Sequence, residues 1–535
     1  MKHRIRLPAL TLLAACLALP FSTPAAAQTD PAAVRETIRA KIEAIRAGKT
    51  LRIGGVQITP WKPLPALYQK GDYGALWTHP VAVDDLLAAI RASAEDGLEP
   101  SDFHLVAIEQ LRNENSHEAG SVADLDLLLS DALARLAYQM RFGKVDPSRL
   151  DPDWNVTVRV RGTDAITWMQ ETIAGARIRE AVRIIGSQHP FYAKVKGGLA
   201  EYRRMATAGG WPSVPEGPAL EPGMTDPRVP ALRRRLAVTG DLSSSDAGAE
   251  STGYDPTLQA AVIAFQNRHQ LEPDGVVGPV TLKALSVPVE DRIDELRTTL
   301  ERCRWVMRDL PDRFVLVNVA GFRVYFVETG ELVWKSNVVV GKPYTRTPIF
   351  KADMKTVVLN PTWTVPASIV RNEIQPGLRR DPRYLARKGI RRAGDKYFQP
   401  AGPDNALGRI KYLFPNPHNV YLHDTPLKSL FEKTSRSFSH GCVRVQHPTE
   451  LAPYVLDDPA WTLQAVDAAI DTGKTRALTL KKPIPVLILY WTASVGTDSR
   501  VYFRPDVYGR NPAVLRGLKG EFAPGKHIEA HLSEE

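Results

Sequence analysis

Apolar residues recur at helical spacing through roughly the first 210 positions. Leu86, Leu87, Ile90 and Ala94 share one face and run into Gly97; Leu125, Leu128, Leu129, Leu133, Leu136 and Met140 repeat the pattern up to Gly143. This spacing predicts helices that stop at glycine, with those faces forming a core rather than a catalytic surface. The aromatic string Tyr68, Tyr73 and Trp77 fits packing against these helices or a platform for sugar rings, with packing the preferred reading. A Pro/Gly-rich stretch, Trp211 to Pro227, marks a boundary. The next unit has Leu232 and Leu236 in one helix and Leu258, Val262 and Phe265 in another. The turn Asp274-Gly275-Val276-Val277-Gly278-Pro279 and a short helix through Leu285 follow. Within it, Gly240 to Thr252 reads as a low-complexity Ser/Gly/Ala insertion, and Thr281 is placed to cap the last helix.

After Pro288 the period shortens to two. Phe314–Val319, Phe322–Val327, Trp334–Val340 and Thr356–Leu359 are β-branched and aromatic runs separated by Gly, Asn or Pro, which predicts an antiparallel β domain. From Val365 to about Tyr412 the texture turns basic and loop-like, with Arg371, Arg379, Arg380, Arg383, Arg387, Lys388, Arg391 and Arg392. Strand texture returns at Val420–Leu422, Pro485–Trp491 and Arg500–Phe503. An insertion within a β core is the economical reading, and such an insertion can serve as a lid.

A chain of 535 residues exceeds one ordinary core. At 44% hydrophobic and 24% charged residues it has the composition of a soluble globular protein. Lys2, Arg4 and Arg6 precede the apolar run Leu7–Phe21, and Ala25-Ala26-Ala27 offers a cleavage site, so an export signal removed before Gln28 is expected. Leu13-Ala14-Ala15-Cys16 resembles a lipobox, but the apolar Leu17–Pro20 continues the signal core and argues against a lipid anchor at Cys16. No later stretch approaches the roughly 20 apolar residues of a membrane-spanning helix. The formal charge of +10, about +7 without the signal, suits nucleic acid, an anionic surface or an acidic polymer, and export removes nucleic acid. Only Cys303 and Cys442 then remain, too few for a disulfide scaffold. No Cys/His spacing matches a metal site, and no cofactor is expected.

Chemistry concentrates in Ser439-His440-Gly441-Cys442-Val443-Arg444. A nucleophilic thiol needs a base or cation to raise its thiolate fraction, and backbone N–H groups facing the developing oxyanion; Gly441 permits the necessary bend. A helix predicted from about Pro448 would add its dipole. A second component is Tyr421-Leu422-His423-Asp424, on a strand nineteen positions before Cys442. Cys303, in Arg302-Cys303-Arg304-Trp305, reads as a packed thiol on a helix.

A strand histidine followed by Ser-His-Gly-Cys-x-Arg resembles the signature of the L,D-transpeptidase (YkuD-type) family. Val338-Val339-Val340-Gly341 with Thr347-Pro348, and Asn360-Pro361-Thr362-Trp363-Thr364-Val365-Pro366, are similar to its large Gram-negative branch. Ala264-Phe265-Gln266, Leu271 and Asp274-Gly275 resemble the three-helix peptidoglycan-binding module. The resemblance implies a multidomain α+β protein: signal 1–27, helical scaffold 28–215, peptidoglycan-binding module 220–287, and a β-sandwich-like catalytic domain 300–520 with a lid insertion at about 366–415. It implies a periplasmic enzyme forming 3→3 cross-links through a Cys442 thioester on tetrapeptide stems, releasing D-Ala. His423 is the implied base, with the backbone around Asp424 orienting it, and His440 is a second candidate. Gly441 and Cys442 N–H groups would form the oxyanion hole; Tyr421, Ser439, Arg444 and Trp363 would line or brace the site, with Arg444 either binding a stem carboxylate bidentately or holding the loop. Peptidoglycan stems and glycan are the implied partners, with other cell-wall enzymes beside them. The same residues also fit an L,D-carboxypeptidase or endopeptidase with water as acceptor, and a wall-binding protein without catalysis is the non-enzymatic alternative.

Overall fold

Helices occupy the first part of the chain where the apolar spacing places them. The computed structural model describes residues 29–524 apart from Pro60, Lys62, 151–153, 155–163, Ala249 and Asp309; the expected signal and Cys16 lie outside the described residues. Helix Pro80–Ala92 continues as a 3₁₀ turn, Ser93–Asp96, and ends at Gly97, while Ala119–Phe142 ends at Gly143. Tyr68 is fully buried and its hydroxyl donates to Asp126 Oδ1 at 2.6 Å; Trp77 donates through Nε1 to Ser130 Oγ at 2.9 Å. Both rings are thus core groups with satisfied polar tips.

A second core joins helices Val229–Val238, Pro256–Arg268 and Pro279–Leu285 around Leu232, Leu258 and Phe265. Buried Gln266 organises the adjoining turn. It donates to Asp274 Oδ1 at 2.8 Å and Thr281 Oγ1 at 3.2 Å, and accepts from the Gly275 N–H at 2.9 Å. Thr281 therefore does not cap the last helix as expected: that helix begins at Pro279 behind Gly278, and Thr281 lies inside its first turn. The low-complexity Ser/Gly/Ala segment Gly240 to Thr252 holds a one-turn helix, Ser244–Ala247, capped by Ser243.

The third and largest core contains nine strands: β1 (Arg313–Asn318), β2 (Arg323–Glu328), β3 (Glu331–Gly341), β4 (Phe350–Leu359), β5 (Ile410–Leu413), β6 (Leu422–His423), β7 (Ser437–Ser439), β8 (Val443–Val445) and β9 (Arg476–Leu489). Their order is β7-β3-β8-β6-β5-β4-β9-β1-β2, and β2 pairs back onto β3. Eight strands thus close into a ring without free edges. The sequence suggested an antiparallel, sandwich-like arrangement; instead β6–β8, β7–β3 and β9–β1 are parallel. Alternation within single strands cannot reveal the direction of their partners.

The insertion between β4 and β5 carries its own small core, Val365, Ile374, Ile390 and Tyr397, and a three-stranded sheet of Trp363–Thr364, Arg391–Ala393 and Lys396–Gln399. It ends before β5, shorter than the 366–415 expected. Buried Asn405 ties its ends together, donating to Pro361 O at 3.1 Å and Pro400 O at 2.7 Å. Its helical segment passes through a widened π turn, Val370–Ile374, just before Pro376, whose missing N–H removes a regular helical bond.

Helices Pro190–Thr207 and Val289–Val306 pack within the core of the strands, so the N-terminal helical region is joined to the β domain by shared burial. A buried pair fixes this junction. Arg304 and Glu301 bond at 2.6 Å with both side chains wholly inaccessible, Glu301 accepts from the Val145 N–H at 2.6 Å, and Arg304 reaches Asp96 O at 2.8 Å and the Tyr192 hydroxyl at 2.9 Å. Removing one partner strands the other charge in a dry interior. Glu301→Ala is therefore expected to lower unfolding stability by about 3–5 kcal/mol, read by denaturant melting; a loss below about 1 kcal/mol would show the junction to be held by apolar packing alone.

Candidate active site

Pairing across three short strands builds the site. In β6, Leu422 pairs with Val443 and His423 with Arg444 in parallel register; in β5, Lys411 pairs with His423 and Tyr412 with Leu422. Side chains alternate between faces, so Leu422, Val443, Val445 and Tyr412 enter the core while Lys411, Tyr421, His423, Cys442 and Arg444 share the opposite face. The Val443 N–H donates to Tyr421 O at 3.2 Å, extending the ladder to the residue beside Cys442.

Gly441 turns the chain into Cys442 with φ +118°, a conformation that side chains with a Cβ rarely adopt. Ser439 Oγ clamps this turn, accepting from the Gly441 N–H at 3.1 Å and donating to Cys442 O at 2.6 Å. Thr347 clamps it from behind, donating to Gly441 O at 2.8 Å and accepting from the Gly341 N–H at 2.9 Å. A Cβ at Gly341 would collide with the Thr345 carbonyl, so two glycines let three backbone segments meet. Tyr508, far away in sequence, donates to Gly341 O at 2.6 Å and accepts from the Thr347 N–H at 3.2 Å.

The Gly441 N–H is thus occupied, and of the two donors expected for an oxyanion hole, the Cys442 N–H is the one without an acceptor among the described residues. The helix after the motif exists, as a 3₁₀ turn Pro448–Leu451 followed by Ala452–Leu456. Strand β8 lies between it and Cys442, so the turn that carries the thiol is not itself the start of that helix.

His423 is buried, and its Nδ1 donates to Asp424 O at 2.5 Å, which leaves Nε2 as the acceptor. The Asp424 carboxylate faces elsewhere, pairing with Lys428 and accepting from the Arg409 N–H at 2.9 Å. Burial, reinforced by Arg444 and Lys411, pushes the His423 imidazole down to about 3. Burial likewise raises the Cys442 thiol, against the opposing pull of the Tyr421 N–H and hydroxyl, Lys411 and Arg444. The thiol donates to Asn419 O at 3.6 Å, and the Tyr421 hydroxyl contacts both the thiol and Trp363.

His440 leaves this group. It is 40% exposed, with Nε2 2.7 Å from Oε1 of Glu373 on the π turn of the insertion. Sequence reasoning missed Lys411, whose Nζ sits 3.8 Å from the Tyr421 ring centroid, because the surrounding Arg-rich texture hid the alternation of β5. It also missed Asn416, whose side chain shapes the turn to Asn419 by bonding Phe414 O and Val420 O, each at 2.7 Å; the pattern Phe414-Pro415-Asn416-Pro417 carried that signal. Nothing in the sequence marked Tyr508. Cys303 is wholly buried, with burial raising its thiol, as a packed residue should be. No group of three or more His, Cys, Asp or Glu able to hold a metal occurs among the described residues.

A neutral buried His423 carries a pH signature. The unfolded chain binds a proton near pH 6.5 that the folded chain refuses until about pH 3, so stability falls as pH drops through that window and is fully present above it. Nitrogen-15 NMR of histidine-labelled protein is expected to show His423 neutral and protonated on Nδ1 at pH 5; titration near 6.5 would contradict the burial argument.

Comparison with known proteins matches three regions of the chain. Residues 312–488 match the L,D-transpeptidase catalytic domain (YkuD), residues 62–199 a scaffold domain and residues 225–285 a peptidoglycan-binding domain. A Haemophilus influenzae protein named as an L,D-transpeptidase is 29% identical over 225 residues, covering 38% of this chain and 46% of the relative, so the match spans less than half the relative's length. Among solved structures, an L,D-transpeptidase from Mycobacterium smegmatis aligns with 12% identity and TM-score 0.19, over 33% of this chain and 58% of its own. One from Xylanimonas cellulosilytica aligns with 18% identity and TM-score 0.18, over 51% and 99%. Those scores are too low to bear on the assignment, which rests on the three matched regions. Along one chain the protein thus carries a scaffold domain, a peptidoglycan-binding domain and an L,D-transpeptidase (YkuD) catalytic domain, in that order.

Proposed function

We propose that the protein is an exported, periplasmic L,D-transpeptidase that forms 3→3 cross-links through a thioester on Cys442. The observation that supports this most directly is the sharing of one sheet face by Cys442 and a neutral His423 whose tautomer is fixed by the Asp424 carbonyl. Rotation about χ1 swings the sulfur from Asn419 O toward His423 Nε2, which takes the proton as the thiolate attacks the carbonyl of the third stem residue. Resting hydrogen bonds of catalytic groups commonly tighten only when substrate is bound. The Cys442 N–H faces the developing oxyanion. The bond to the terminal D-Ala then breaks, and the imidazolium returns its proton to the departing amine. An amine from a neighbouring stem attacks the thioester, His423 removes its extra proton, and the thiol is restored. Tyr421 braces the sulfur, Trp363 lines the donor side, Ser439 holds the turn, and the module at residues 225–285 keeps the enzyme on its insoluble substrate.

Cys442→Ala is expected to abolish both D-Ala release from disaccharide tetrapeptides and 3→3 dimer formation, read by mass spectrometry; dimers at wild-type level would sink the assignment. Carbapenems, as strained cyclic acyl donors, are expected to acylate Cys442 stoichiometrically. His423→Ala should slow that acylation by roughly two orders of magnitude or more, the scale of a lost general base. His440→Ala, whose ring is turned to Glu373, should cost clearly less. The reverse ranking in folded variants would exchange the two roles.

A further inference from the structure

Two cations stand on the catalytic face with no carboxylate partner among the described residues. Lys411 is partly buried on β5, in register with His423, and its ammonium lies against the Tyr421 ring at 3.8 Å. Arg444 is in register with His423 from the other side, and its Nε is buried with no hydrogen-bond partner among the described residues. The carboxylates near this face are engaged elsewhere: Asp424 with Lys428 and the Arg409 N–H, Glu373 with His440 at 2.7 Å. Partly buried cations without counter-ions cost desolvation energy that nothing on this face returns. The Cys442 thiolate is the opposite charge that acts on both. Even once formed, one thiolate cannot neutralise two cations, and at rest the protonated thiol neutralises neither.

We propose that Lys411 and Arg444 form a carboxylate cradle beside Cys442, which takes the anionic end of the incoming acyl donor. The inference rests on the proposed reaction for the identity of that donor: a peptide stem whose leaving residue bears a free carboxylate adjoining the scissile bond. Lys411 supplies a compact point charge softened by the Tyr421 ring, and Arg444 a planar fork suited to bidentate contact. The cradle also explains why a base would be built between two cations. Both disfavour the imidazolium on His423 while the site is empty; a carboxylate between them offsets that repulsion, so the base gains strength when donor is present. An empty site then has a quiet thiol, and an anionic donor completes its charge balance.

The test uses two small alkylating probes of similar size, iodoacetate and iodoacetamide, on the full-length protein, with the product mapped to Cys442 by mass spectrometry. Cys303 does not compete, being wholly buried. An exposed free thiol reacts more slowly with the anionic probe, so the ratio of the two rates reports the local charge. The wild-type ratio is expected to favour iodoacetate, and to fall as sodium chloride is raised. It should drop by about tenfold in Lys411→Met, the scale of one lost charge contact near a protein surface, and recover in Lys411→Arg. A wild-type ratio equal to that of a free thiol, or one unchanged in a folded Lys411→Met, overturns the cradle. Should Lys411→Met not fold, the wild-type ratio and its salt dependence decide alone. D-Ala release from tetrapeptides, measured in parallel, separates the two claims. Probe selectivity without release overturns the reaction and leaves the cradle standing, whereas release without selectivity overturns the cradle and leaves the reaction standing.

Discussion

The site depends on the parallel register between Leu422–His423 and Val443–Val445. Two residues of ladder put His423 beside Arg444 and Tyr421 beside Cys442. Because side chains alternate with period two, a slip of one residue would send His423 into the core and Leu422 to the surface. So short a ladder could not hold its own register in water. The closed ring holds it: β5 presses from one side with Tyr412 against Leu422, β3 grips β8 through Val338 and Val339, and neither neighbour can move without opening the barrel. The apolar face of the same strands, with Leu422, Val443 and Val445 buried, supplies the energy that fixes the polar one.

Around that ladder the protein uses backbone where side chains would be too large. Ser439, Thr347 and Tyr508 hold the Gly341 and Gly441 segments by hydroxyl groups, each both donating and accepting, so the thiol sits on a turn fixed from three parts of the chain. The same economy applies to His423, where a carbonyl rather than a carboxylate sets the tautomer. A carboxylate there would favour the imidazolium more strongly; the carbonyl orients the ring, and burial together with Arg444 and Lys411 keeps it neutral.

The insertion belongs to the site by electrostatics as well as by position. Its outer residues include eight exposed Arg and Lys side chains between Arg371 and Arg392, while Glu373 pairs with His440, so the histidine of the Ser-His-Gly-Cys motif faces the insertion rather than the thiol. Trp363, at the root of the insertion, reaches the Tyr421 hydroxyl. The Glu301–Arg304 pair and the helices around it join the N-terminal helical region to the barrel through a buried network.

Much of this was legible in the residues. Helical spacing gave the helices and their glycine stops, the change to period two located the β domain, and Gly441-Cys442 with a histidine on an upstream strand marked the candidate site, since each rests on local chemistry. What lay beyond local chemistry was decided by the tertiary structure. Strand direction and ring closure were invisible because alternation is the same in parallel and antiparallel pairs. Lys411 was hidden within an arginine-rich stretch, and its meaning comes only from the partners that β5 acquires. Thr281 and the Gly441 N–H were assigned roles that their neighbours preclude: the last helix starts behind Gly278, which leaves Thr281 inside its first turn, and Ser439 Oγ already accepts from the Gly441 N–H. The sequence determined which groups could react; the fold decided which face each occupies and which polar atoms remain free, because hydrogen-bond partners and register are set by residues distant along the chain.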